Sequence, residues 1–98
     1  MAVTLGILAR LEAKPGQGGE LAAFLRSGRE IAAREDGTVT WYAFKIDDDT
    51  YGIFDTFETE ADRQAHLNGE IPQALGQVAA DLLASEPDIR PIEILAVK

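Results

Sequence analysis

Between Val3 and Ala13 the chain reads VTLGILARLEA, with Val3, Leu5, Ile7, Ala9 and Leu11 on one side and Thr4, Gly6 and Leu8 on the other. This two-residue period predicts a strand. Pro15-Gly16-Gln17-Gly18-Gly19 breaks it, and the period then changes. Leu21, Phe24, Leu25, Gly28, Ile31 and Ala32 lie at helical spacing from Glu20 onward, while Arg26, Arg29, Glu30 and Arg34 lie mainly off that stripe. The helix is expected to stop near Glu35, at Asp36-Gly37.

Thr38–Ile46 and Thr50–Phe57 read as two more strands around Asp47-Asp48-Asp49, an antiparallel hairpin. Thr59-Glu60-Ala61-Asp62 opens a second helix with Thr59 as N-cap and Asp62 at the third helical position. That helix is interrupted near Asn68-Gly69 and resumes with Pro72 in its first turn and a stripe of Leu75, Val78, Ala79, Leu82 and Leu83. Pro87 ends it, and Ile89–Val97 is the expected last strand. The order β-α-β-β-α-β predicts one ferredoxin-like α+β domain over residues 1–98, with helices on one face of a four-stranded antiparallel sheet.

The hairpin is apolar on both faces. Val39, Trp41 and Ala43 share one side, and Tyr42, Phe44 and Ile46 share the other. In the third strand Tyr51, Ile53, Asp55 and Phe57 oppose Gly52, Phe54 and Thr56, and in the last strand Ile89, Leu95 and Val97 oppose Ile92, Ile94 and Ala96. Helices cover one side only, and the free side of an antiparallel sheet is normally polar. Each large side chain left in water would forgo roughly 1.5–3 kcal/mol. A second copy, sheet against sheet with twofold symmetry, is the expected cover, making the chain a homodimer.

Composition narrows the function. Nine Lys and Arg against seventeen Asp and Glu give a formal charge of −8, which repels phosphate backbones and anionic membrane surfaces, so neither nucleic acid nor membrane is an expected partner. Without cysteine there are no disulfides, thiolate nucleophiles or thiolate metal sites. MAVTLGILAR meets a charge at Arg10, too early for a signal-peptide core or a membrane span, and a cytoplasmic protein is expected.

Two lookalikes fail on context. Asp47, Asp49, Gly52, Asp55 and Glu58 fit positions one, three, six, nine and twelve of a calcium loop, but Tyr51 occupies position five and the flanks are strands. The glycines after Lys14 precede a helix, as in a phosphate loop, but Leu21 stands where a third glycine belongs and no Gly-Lys-Ser/Thr follows. His66 is the only histidine, so it cannot build a histidine-based zinc site, though it could work alone as an acid or base. The plainer reading pairs it with Asp62, four residues earlier. Trp41 and Tyr42 point to opposite faces, as packing residues or as platforms for a flat aromatic ligand.

With GTVTWYAFKI, YGIFDTFETEADRQAHLNG and PIEILAVK in view, the chain resembles the antibiotic biosynthesis monooxygenase-like domain over nearly its whole length. The resemblance is sharpest in FETEADRQAHL. It implies a dimeric α+β barrel and, in some members, cofactor-free oxidation of aromatic phenols or quinols. The Asn, Trp and His of the haem-degrading branch would fall near Ala9, Phe57 and Gly76, and none is kept. On this resemblance His66 is the expected base, Arg63 or Asn68 would steady the substrate anion, and Trp41, Tyr42 and Phe57 would contact the substrate, with no cofactor. The alternative is a non-catalytic dimer that binds a small molecule.

Overall fold

The computed structural model describes residues 2–98. Its elements are β1 (Leu5–Glu12), α1 (Gly18–Ala33), β2 (Thr38–Asp47), β3 (Thr50–Phe57), α2 (Glu60–Leu67), α3 (Glu70–Leu82) and β4 (Asp88–Glu93). The strands form one antiparallel sheet in the order β2-β3-β1-β4, and the architecture is ferredoxin-like α+β.

All helices lie on one face. The inner side chains Ala9 and Leu11 of β1 and Tyr51 and Ile53 of β3 join Leu21 and Leu25 of α1 and Ile71 and Leu75 of α3 in the core, and Ile7 and Phe57 are buried on the same face of the sheet. Gly16, at φ 80°, makes the turn from β1 to α1 in a region of backbone space that suits glycine. Asp47 Oδ1 accepts from the Asp49 backbone N–H at 3.0 Å, so the acidic knot is a side-chain-braced hairpin turn.

The expected boundaries hold closely in the middle of the chain and shift at its edges. β3 spans the expected residues, and the second helix does divide at Asn68-Gly69. α1 starts at Gly18, two residues early, because the Gln17 carbonyl already accepts from the Leu21 N–H. The first strand is shorter than Val3–Ala13, and β4 ends at Glu93 instead of Val97. Ile94 N–H still donates to the Thr4 carbonyl, but β1 offers no ladder beyond Leu5, so the strand outruns its partner. Leu95 and Val97 stand in solvent, 90% and 67% exposed. The register shifts between Thr38 and Thr40, so Val39 has no partner on β3 and stays 47% exposed.

The open face carries Leu8, Tyr42, Phe44, Phe54 and Ile92 around Gly6 and Gly52. Tyr42 and Phe54 are cross-strand partners whose rings stack at 6.3 Å, and Tyr42 remains 57% exposed. No helix among the described residues is long and apolar enough to cross a membrane.

The N-cap of α2 supplies a local test. Thr59 Oγ1 accepts from the Asp62 backbone N–H at 3.1 Å and donates to Asp62 Oδ2 at 2.9 Å. Thr59→Ala removes both bonds and is expected to lower stability by about 1 kcal/mol, read from urea unfolding.

Candidate active site

β3 places one acid among its inner apolar side chains. Asp55 sits between Ile7 of β1 and Trp41 of β2 in the register and is 1% exposed. A carboxylate so deep needs partners, and α2 delivers the first. His66, on the last turn of α2, is the only buried residue of that helix, and its Nε2 lies 2.9 Å from Asp55 Oδ2. Its Nδ1 lies 2.7 Å from Glu35 Oε1, just beyond α1, and Glu35 Oε1 also accepts from Thr38 Oγ1 at 2.8 Å. Phe57 closes one side, its ring 5.4 Å from the imidazole.

Carboxylates only accept, so both ring nitrogens must carry hydrogen for both contacts to hold. Burial works against the imidazolium, but the hydrogen bonds to Asp55 and Glu35 outweigh it and hold His66 above its ordinary value. One cation between two anions leaves one negative charge in excess. The two carboxylates grip opposite sides of the ring instead of converging. Among the described residues no set of three or more His, Asp or Glu side chains is arranged to hold a metal ion.

Two buried polar atoms beside this cluster have no protein partner: Asp55 Oδ1 and Trp41 Nε1. Trp41 and Asp55 are cross-strand neighbours on the inner face. The indole reaches α1 at Gly28, where an added Cβ would come within 3.2 Å of the ring, so a residue without a side chain lets the helix close over it. Trp41 also lines a cleft of about 290 Å³ with Arg29, Ala32, Ala33, Glu35, Thr38 and Val39. A second cleft of about 300 Å³ reaches His66 and Glu35 from the other side, past Asp62 and Ala65.

The residues expected to form the site divide into two groups. Trp41, Phe57 and His66 are gathered around Asp55. Tyr42 faces the open side, as its alternation with Trp41 required. The Arg63 guanidinium bonds the Gly6 and Ile92 carbonyls, both at 3.2 Å, and pairs with Glu60, stapling β1 and β4 to α2. Asn68 caps α2 by donating to the Gln64 carbonyl at 3.0 Å and is exposed. Asp62 is turned to Thr59, so the pairing of His66 with Asp62 is replaced by Glu35 and Asp55. Those two acids were not expected as site residues. The signal for Asp55 was an acid on an otherwise apolar strand face.

The small α+β fold thus carries a buried ionic cluster on its inner face, with an indole beside a cleft. The same fold occurs in a provisionally assigned antibiotic biosynthesis monooxygenase from Nitrosomonas europaea (16% identity, 94% of this chain and 90% of that one, TM-score 0.82). It occurs too in one so assigned from Chloroflexus aurantiacus (20% identity, 97% and 96%, TM-score 0.74). The fold is therefore that of the antibiotic biosynthesis monooxygenase-like domain. More closely, the chain is 51% identical to NE2512, a protein of unknown function from Nitrosomonas europaea, over 98% of this chain and 93% of that one, with a TM-score of 0.95. It belongs to the family of that protein. No family model and no curated protein matches the sequence.

The ionic cluster sets a stability test. Removing the imidazole leaves two carboxylates without their cation, so His66→Gln is expected to cost about 3–5 kcal/mol in urea unfolding. Because His66 is held above its unfolded value of about 6.5, its contribution is complete below that pH and fades as pH rises through the folded value. Wild-type stability should therefore fall as pH rises above about 6.5, and His66→Gln should flatten that slope.

Proposed function

We propose that the chain is a homodimer whose inner-face site oxidises a small phenol or hydroquinone with dioxygen, without a cofactor. One observation carries the reading: Asp55 presents a buried carboxylate oxygen with no partner, beside a cation that its other oxygen already engages. His66 was the expected base, but an imidazolium has no lone pair to accept a proton. The role of acceptor passes to Asp55 Oδ1, and His66 and Glu35 become positioning residues that hold that carboxylate in place.

The chemistry needs few groups. As the hydroxyl proton leaves for Asp55, the aromatic ring becomes a stronger donor and passes an electron to dioxygen. A hydroquinone that loses two electrons and two protons gives a quinone, and dioxygen becomes hydrogen peroxide. An anthrone would instead gain one oxygen atom at its methylene carbon, the other leaving as water with the two methylene hydrogens. Arg63 and Asn68 contribute through the frame of α2, since their hydrogen bonds go to backbone carbonyls.

The apolar open face and the projecting Leu95 and Val97 support the dimer, because a second copy would cover both. A species near twice 10.6 kDa is expected in sedimentation at micromolar concentration, and a well-folded species of 10.6 kDa alone would remove this part. A non-catalytic binding protein is the second reading, favoured by the occupation of both His66 nitrogens. Oxygen uptake with a panel of hydroquinones and anthrones separates the two. The enzyme reading expects uptake above the buffer rate and a fall of about 10²–10⁴-fold in Asp55→Asn. Uptake at the buffer rate for every compound selects the binding protein.

A further inference from the structure

A buried hydrogen-bond donor and a buried acceptor, neighbours across β2 and β3 on the inner face, lack protein partners. Such atoms are rare, because each forfeits its hydrogen bond to water on folding. A ligand that satisfies both must offer one lone pair to Trp41 Nε1 and one hydrogen to Asp55 Oδ1. A hydroxyl group does both with a single oxygen. An aryl ether offers no hydrogen, and a phenolate or carboxylate offers none and brings a second anion. The surroundings reinforce the choice, since Glu35, His66 and Asp55 together carry one negative charge in excess.

We propose that Trp41 Nε1 and Asp55 Oδ1 form a receptor for one neutral hydroxyl group, which selects un-ionised phenols over phenolates, aryl carboxylates and aryl ethers. The proposal rests on reading this cluster as a ligand site, but it requires no turnover. Both atoms are shut from solvent, and the indole lines the 290 Å³ cleft, so the indole must tilt for a ring to reach them. Its N–H makes no hydrogen bond that such a tilt would break.

The sole tryptophan gives a direct readout, because one indole N–H resonance reports on this donor alone. The titrations use nitrogen-labelled wild-type protein without oxygen, which separates binding from oxidation. Phenol is expected to move the indole N–H resonance saturably, and anisole to bind about five- to ten-fold more weakly. 4-Nitrophenol should bind at a pH where it is neutral and lose most of its affinity where it is ionised. Phenol, neutral at both values, controls for the protein's own titration. Trp41→Phe keeps a ring and removes the donor, and should weaken phenol several-fold, read in that variant from backbone amide shifts. Equal affinity for phenol and anisole, tighter binding of the nitrophenolate, or no saturable shift with any probe would each overturn the proposal. The last result would leave a resident water as the partner of the two atoms. Phenol binding without oxygen uptake would instead remove the oxidase reading and leave this one standing.

Discussion

The imidazolium of His66 is the contact on which the inner layer depends. It joins the segment after α1, the middle of β3 and the last turn of α2 through two hydrogen bonds, of 2.7 and 2.9 Å. α2 buries no other side chain, so its attachment to the sheet rests on this ring and on the Arg63 guanidinium. The hydrophobic effect still supplies the bulk of the stability through Leu11, Leu21, Ile53 and Leu75. Apolar contact alone, however, tolerates small rotations of a helix over a sheet. Two charge-assisted hydrogen bonds at fixed angles do not, and they set where α2 stands.

The opposite face follows a different logic. Leu8, Phe44, Phe54 and Ile92 are each at least partly accessible, and Tyr42 is held against Phe54 by stacking alone. At the centre of this face Gly52 leaves room for the Phe44 ring, which occupies the space a Cβ would take. The result is a largely apolar surface that also carries Arg10, opposite Gly52, and Glu12, Asp88 and Arg90. One sheet thus separates two environments, a dry ionic cluster inside and an apolar plate outside. The alternation of Trp41 with Tyr42 is the register that assigns one aromatic to each.

Much of this was legible in the sequence because it is local. The period of β3, the Thr59 cap and the break at Asn68-Gly69 each depend on a few neighbouring residues, and each is found where expected. The end of β4 depends on where a distant partner strand stops, and there the sequence overran by four residues, Ile94 to Val97. The site divides in the same way. Trp41 and Phe57 could be assigned to the inner side by alternation. Glu35 could not be assigned to His66, since 31 residues separate them and nothing local distinguishes Glu35 from Asp62 as a partner. Arg63 and Asn68 were plausible by residue type alone, and the geometry of a helix end and of two strand carbonyls claimed them instead.

Stability by itself accounts poorly for the second carboxylate. One acid would satisfy a buried histidine, and replacing a buried ion cluster with packed apolar side chains is often neutral or favourable. Here a further charge is placed 1% exposed on a strand face whose other members are Tyr51, Ile53 and Phe57, and one of its oxygens is left without a partner. A purely structural brace would put such a group at the rim, as Glu35 is, where water shares the cost. The position of Asp55, behind the indole and fixed by His66, instead resembles a group kept dry for a reactant. Structural duty explains Glu35 and His66; it leaves Asp55 Oδ1 over, and that oxygen is where a function has to be sought.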